Sequence, residues 1–132
     1  MNAADFASPH VLTLTRTLAA PRAALWRCWT EPELIKQWFC PVPWRATEVR
    51  GDLCAGGGSF TRMEGPGPDG TPMTQDCPGC YLLVEPQRRL VFSDAFVGDW
   101  VPGQAKPFMV ADIRFADALA RISRHPQFAV DM

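Results

Sequence analysis

The sequence predicts an α+β fold in which a curved antiparallel β-sheet carries two short helices near its N-terminus. Residues 11–18 alternate apolar and polar side chains, a pattern typical of a half-buried strand. Residues 21–39 place apolar side chains at helical spacing. From residue 44 to about 124, turn signals divide strand-like segments. A single meandering sheet with helices on one side accounts for this order.

The first helix is expected to begin at Pro21, because the first helical position tolerates proline. Leu25 and Trp29 lie four residues apart on its apolar face. Thr30 and Glu33 have the spacing of a capping box, which predicts that Thr30 caps a second helix. The apolar residues of that second helix are Leu34, Ile35 and Trp38, and it is expected to end before Pro41 and Pro43.

The remainder of the chain is predicted to form strands, turns and one loop. Glycine and proline clusters mark the turns. The last long strand, over residues 108–115, places Ile113 and Phe115 on one face together with Met109 and Ala111. The predicted strands are 44–49, 59–64, 81–85, 89–96 and 108–115, with turns at 56–58, 65–70 and 86–87 and a loop over 98–106.

Length, charge and cysteine usage narrow the functional class. The chain has 132 residues, which suits one domain, and we expect a flexible leader over 1–10, the domain over 11–124 and a tail over 125–132. The net charge of −1 and the scattered arginines argue against a nucleic-acid partner. No apolar run is long enough for a membrane span. Five cysteines without a secretory signal predict reduced thiols and a cytoplasmic location.

Several short motifs follow one another in an order that resembles a known superfamily. They are Arg16-Thr17, Ala20-Pro21, Leu25-Trp26, the run from Trp29 to Leu34, and Gln37-Trp38-Phe39, followed by Gly56 to Phe60, Asp69-Gly70, Tyr81 to Pro86, and Arg89 to Phe92. The chain is similar over residues 11–117 to the START-like (SRPBCC) superfamily, in the branch of the C-terminal domain of the heat-shock-protein ATPase activator.

The resemblance implies a helix-grip fold, in which the sheet wraps around a long C-terminal helix and encloses a cavity. Members bind hydrophobic or amphipathic molecules, act as cyclases or hydrolases, or act on chaperones. This sequence lacks the expected long helix, and it has Cys40 where the branch usually has glycine. An uncovered apolar sheet face would favour association of the chain into a homo-oligomer.

Aromatic residues are the candidate ligand-binding residues, because ligand pockets are mainly apolar with few polar groups. Core packing is the alternative explanation for them. On this basis we expect a sheet-lined cavity that takes a small apolar ligand, without a cofactor. The candidates are Trp38, Phe39, Phe60, Tyr81, Phe92, Trp100 and Phe108.

Catalytic and metal-binding motifs are weaker than the aromatic pattern. Asp94 shares parity with Phe92 and Phe96, so an inward carboxylate could serve as an acid or base, although a solvated outer position also explains it. Cys77 and Cys80 form a CxxC that could ligate metal, although no second CxxC follows and thiols in a turn also explain it. The sequence therefore favours a ligand-binding protein over an enzyme, with a cyclase or hydrolase and a chaperone-interaction module as alternatives.

Overall fold

A mostly β architecture with two short helices is seen in the computed structural model, which describes residues 11–117 and 128–131. The α+β fold class is confirmed. The elements are β1 (Thr15–Leu18), α1 (Arg22–Thr30), α2 (Pro32–Trp38), β2 (Arg45–Gly51), β3 (Gly58–Pro66), β4 (Pro72–Glu85), β5 (Arg89–Ser93), β6 (Phe96–Val97), β7 (Val101–Pro102), β8 (Val110–Asp117) and β9 (Phe128–Asp131).

Seven of the strands form one sheet in the order β1-β9-β8-β5-β4-β3-β2. Every neighbouring pair is antiparallel. From β2 to β5 the sheet is a meander of consecutive strands, whereas β9 lies between β1 and β8. The small strands β6 and β7 form a separate antiparallel pair that contacts β4.

The two helices are separate because the backbone at Glu31 is extended. Pro21 was predicted to be the first helical residue, but it is the N-cap of α1, and the helix begins one residue later at Arg22. The predicted capping box is wrong: the Thr30 hydroxyl donates to the carbonyl of Trp26 within α1, 2.8 Å away. Pro32 begins α2, where its missing N–H costs nothing.

The main core lies between α1 and the helix-facing side of the sheet. Leu90 and Ile113 are directly opposite each other on β5 and β8, and both are fully buried. The rings of Trp26 and Phe115 meet edge to face, with centroids 5.6 Å apart. The buried cluster consists of Leu25, Trp26, Tyr81, Leu90, Ile113 and Phe115. The predicted parity of the last strand is therefore confirmed for Ile113 and Phe115.

A smaller buried layer lies on the opposite side of the sheet, beneath the β6–β7 hairpin. Cys80 and Ser93 are directly opposite each other on β4 and β5, and both are buried. Gly58 and Gly98 are in contact in this layer: a Cβ on either would lie 3.4 Å from the other's Cα, which is an ordinary van der Waals distance. The hairpin spans residues 96–102, so its turn and second strand lie in the segment 98–106 that was expected to form a loop.

The largest differences from the sequence prediction concern β1, β4 and β9. β1 begins at Thr15 and is exposed along its whole length, so residues 11–14 are not part of the predicted amphipathic strand. β4 begins at Pro72, nine residues before the predicted strand. β9 lies in the predicted tail, and its pairing with β1 and β8 makes residues 128–131 part of the domain. The predicted leader, residues 1–10, lies outside the described residues.

The two helices both precede β2, and within residues 11–117 and 128–131 no long helix follows the strands. No helix in this part of the chain has the length and apolar character needed to cross a membrane.

Candidate functional site

An aromatic cluster at the end of α2 forms one wall of the candidate site. The rings of Trp29 and Trp38 are tilted, with centroids 4.6 Å apart, and the Trp38 and Phe39 centroids are 6.0 Å apart. The Trp38 indole N–H donates to the carbonyl of Cys28, 2.9 Å away. This bond links the two helices and fixes the position of Trp38 beside the sheet.

The sheet forms the opposite wall, chiefly through alternate residues of β2, β3 and β4 that face the helices. Thr61 is directly opposite Cys77, and Ser59 is directly opposite Gly79, so these side chains share a face with Tyr81. Small residues on this face leave room for the Tyr81 ring, whose hydroxyl lies over Gly51. Phe92 is directly opposite Tyr81 on β5.

The space between the two walls is a cavity of about 70 Å³. It opens beside Trp38 and Phe39, whose side chains are 42% and 37% exposed. Its lining is mostly apolar and aromatic, with one cation and three hydroxyls. The lining residues are Trp29, Ile35, Trp38, Phe39, Val49, Arg50, Ser59, Phe60, Thr61, Tyr81 and Phe92.

The charge at the rim of the cavity is compensated by neighbouring groups. The guanidinium of Arg50 lies 4.3 Å from the Phe60 ring centroid, and its Nε is 3.2 Å from a Glu48 carboxylate oxygen. Arg62 forms two hydrogen bonds with Asp76, at 2.8 Å and 3.1 Å, which lower the pKa of that carboxyl. Burial raises the pKa of Tyr81, so its hydroxyl is protonated at neutral pH.

Five of the seven predicted ligand-binding residues line this cavity: Trp38, Phe39, Phe60, Tyr81 and Phe92. Trp100 lies elsewhere, in the turn between β6 and β7, where it packs against Gly56 and the ring of Phe96. Phe108 precedes β8 and is 61% exposed.

Asp94 follows the end of β5 and is not among the cavity-lining residues. Because the strand ends at Ser93, the parity argument that placed Asp94 with Phe92 does not extend to it. Its carboxylate accepts a hydrogen bond from the backbone N–H of Met109, 2.7 Å away. This contact holds the chain that leads into β8.

Cys77 and Cys80 lie within β4, so the predicted turn at these residues is wrong. Three residues apart on a strand, they face opposite sides of the sheet and are roughly 10 Å apart, too far for a disulfide. Burial, and next the nearby Cys40 thiol, raise the pKa of Cys77. In the part of the chain that the structure describes, no three His, Cys, Asp or Glu side chains are grouped as metal ligands.

The structure adds lining residues that the aromatic pattern did not indicate. Trp29, on the apolar face of α1, packs against the core, and its ring also contacts Trp38 at the cavity. Thr61 is buried although it is polar, and only the register of β3 with β4 places it there. Val49 and Ser59 could have been found from the sequence, because alternate side chains of a strand point to the same face of the sheet. The remaining additions are Ile35 and Arg50.

Comparison with known proteins is consistent with this architecture. A crystal structure of a protein from Nitrosomonas europaea is 35% identical, with a TM-score of 0.74 over 91% of this chain and 71% of that one. A crystal structure from Rhodobacter sphaeroides is 22% identical, with a TM-score of 0.66 over 91% and 69%. The solution structure of an AHSA1-like protein from Aeromonas hydrophila is also 22% identical, with a TM-score of 0.58 over 91% and 73%.

The two structures at 22% identity establish a shared fold and nothing further. No protein of curated function matches the chain. The model of the family described as "Activator of Hsp90 ATPase homolog 1-like protein" matches residues 19–122, which include both helices and the strands from β2 to β8. The chain therefore belongs to the Activator of Hsp90 ATPase homolog 1-like family, with the START-like fold that its sequence resembles.

Proposed function

We propose that this protein binds a small hydrophobic or amphipathic molecule in the cavity between the helices and the sheet. The observation that carries the proposal is the cavity itself, which is lined by aromatic side chains from both walls and opens beside Trp38 and Phe39. Apolar burial would drive binding at roughly 25 cal/mol per Å² before ordering costs.

The size of the cavity limits what it can hold. At about 70 Å³ it is smaller than the roughly 150 Å³ of an engineered cavity that binds benzene. One ring or a short alkyl group would therefore enter it with some adjustment of the walls. The rest of a longer ligand would lie along the exposed surfaces of Trp38 and Phe39.

The test measures the binding of toluene by saturation-transfer NMR. Variants distinguish binding in the cavity from binding elsewhere on the surface. Val49→Phe fills the cavity and should abolish binding. Trp38→Ala should weaken binding, whereas Trp100→Ala is a matched control, because Trp100 is similarly exposed (49% against 42%) but does not line the cavity. Equal loss in both tryptophan variants, or failure of the wild type to bind either toluene or its polar analogues of similar size, would refute the proposal.

Native mass spectrometry of protein purified from cells supplies a second test, because it reports retained ligand and subunit number together. A reducing, cytoplasmic location is part of the proposal. In support, all five cysteines are unpaired thiols. A retained molecule that is lost from the Val49→Phe variant would identify the ligand class directly.

A protein-interaction module is the second candidate, favoured by an exposed apolar run that begins just before β8. Phe108, Met109 and Val110 are consecutive and are 61%, 49% and 54% exposed. The partner could be a second copy of this chain or a chaperone, as the family's name suggests. Static light scattering tests the first: a monomeric mass for both the wild type and Phe108→Ser would refute self-association through this run. Co-purification with a chaperone tests the second.

A further inference from the structure

Three hydroxyl groups line the otherwise apolar cavity, and all three lie on the helix-facing side of the sheet. Ser59 and Thr61 are two residues apart on β3, and Tyr81 is on the neighbouring β4. Their common face follows from the register, since the β4 partners of Ser59 and Thr61 are Gly79 and Cys77. Tyr81 and Thr61 are also buried, at 7% and 9% exposure.

None of these three hydroxyls has a hydrogen-bond partner within residues 11–117 and 128–131. Buried hydroxyls are normally paired, because an unpaired polar group loses its bonds to water without replacement. No side-chain oxygen or nitrogen in the described part of the chain is both fully enclosed and unpaired. Since the three hydroxyls are unpaired, they are not fully enclosed, and a molecule that enters the cavity can reach them. Each can donate or accept a hydrogen bond.

The only cation among the lining residues is Arg50, and its charge is already compensated on the other face of the sheet, because Arg50 and Phe60 alternate with Thr61 and Ser59 along the strands. Its Nε is 3.2 Å from Glu48, and its guanidinium stacks on Phe60. A carboxylate ligand would have to compete with Glu48 for this group and would leave its own charge among aromatic rings, which is costly. A neutral polar group avoids both costs.

Building on the function proposed above, we propose that the cavity selects ring-sized apolar molecules that carry one neutral hydrogen-bonding group. The group is a hydroxyl or a carbonyl, and it binds to the hydroxyls of Ser59, Thr61 and Tyr81. The ring or alkyl part of the molecule packs between Trp29, Trp38 and the sheet. The chemical class is therefore a phenol, a small alcohol or a ketone, as opposed to a hydrocarbon or a carboxylate.

The experiment measures the affinities of three probes of similar size that differ in one ring substituent: toluene, phenol and benzoate. The wild type is compared with Tyr81→Phe and Thr61→Val, each of which removes a hydroxyl and preserves the shape of the side chain. Thr17→Val on β1 is the matched control, because it makes the same change outside the cavity lining. Circular dichroism and urea unfolding verify that each variant folds, and Thr61→Val carries the test if Tyr81→Phe does not fold.

We expect each cavity variant to weaken phenol binding by about 3- to 10-fold, the effect of one hydrogen bond, while toluene affinity stays within about twofold. Benzoate should bind the wild type less tightly than phenol. An unchanged ratio of phenol to toluene affinity in both variants, with toluene still bound, would overturn this inference and leave the proposed function intact. Tighter binding of benzoate than phenol would overturn the neutral class. Failure of all three probes to bind the wild type would overturn the proposed function as well.

Discussion

Gly51 on β2 lies directly beneath the Tyr81 side chain of β4: a methyl group at residue 51 would stand 2.9 Å from the hydroxyl oxygen and 3.2 Å from the ring. Such a contact is shorter than van der Waals packing allows, so the Tyr81 ring would have to move. The position of this hydroxyl in the cavity thus depends on the absence of a side chain two strands away.

Gly51→Ala is therefore expected to displace Tyr81 and lower the free energy of unfolding by about 1–3 kcal/mol, the usual cost of overpacking. It should also reduce the phenol affinity more than the toluene affinity. Urea unfolding and probe titration measure the two effects. Gly98→Ala is the control, because its new methyl group meets neighbours no closer than 3.4 Å. If the Gly51→Ala variant had the same free energy of unfolding as the wild type, Tyr81 would have more room than the structure indicates.

The hairpin between β4 and β5 contains a residue in the left-handed region. Gln87 has φ +60 and follows Pro86, and the N–H of Arg88 donates to the carbonyl of Glu85, 2.9 Å away. Proline followed by a residue of positive φ is typical of a type II turn, which favours glycine at the third of its four residues, the position of Gln87. We expect Gln87→Gly to raise the free energy of unfolding by about 0.5–1 kcal/mol. Arg88→Gly, at a neighbouring position without positive φ, should lower it.

An ion pair between β5 and β8 should make stability depend on acid pH. Arg89 donates two hydrogen bonds to Asp112, at 2.9 Å and 2.7 Å, and these bonds, with a further one from Arg114, lower the pKa of the Asp112 carboxyl. Because the folded-state pKa lies below the unfolded value of about 3.9, the pair stabilises the fold above that pH. This stabilisation is lost as the pH falls through the folded-state pKa.

Asp112→Asn is accordingly expected to lower the free energy of unfolding by about 1 kcal/mol at pH 7, a modest value because both side chains are about one-third exposed. Below about pH 4 the difference from the wild type should shrink. Urea unfolding at several pH values measures it. Asp117→Asn should have a smaller effect, since Asp117 is 3.9 Å from Arg22 and more exposed. A difference independent of pH would exclude the ionised pair as its cause.

The exposed thiol of Cys54 should be alkylated more slowly than other thiols of similar exposure. Desolvation and next the carboxylate of Asp52 raise its pKa, so little thiolate is present at pH 8. Replacing Asp52 with asparagine should lower the Cys54 pKa and accelerate alkylation by iodoacetamide by about twofold or more. Peptide mass spectrometry measures the rate at each cysteine. Cys80, which is fully buried, serves as the internal reference and should stay unmodified in the native protein.

Local patterns predicted the helices and the strand parity well, because those features depend on neighbours in sequence. The spacing of Leu25 and Trp29 identified α1, and the alternation through Ile113 and Phe115 identified the buried face of β8. Five cavity residues followed from aromatic character alone, since large apolar side chains at helix ends and on inner strand faces tend to be buried together.

The errors arose where tertiary contacts override local preference. Residues 77–80 contain Pro78 and Gly79 and were interpreted as a turn, yet they lie within β4. Proline is tolerated there because β5 ends at Ser93, opposite Cys80, so this part of β4 is paired only with β3. Similarly, the β9 segment is strand because two distant strands pair with it, which no local pattern reports.

The place of β9 between β1 and β8 has a consequence for the order of folding during synthesis. β1 is synthesised before every other strand of this sheet, but its pairing partner begins at residue 128, and Thr15 is directly opposite Asp131. β1 must therefore wait until β9 has been synthesised before it can join the sheet. Contacts of such long sequence separation form slowly, because the loop entropy is lost before they are made. In the nascent protein, the helices and the β2–β5 meander can assemble while this edge is still open, and β1 joins the sheet only when β9 pairs with it.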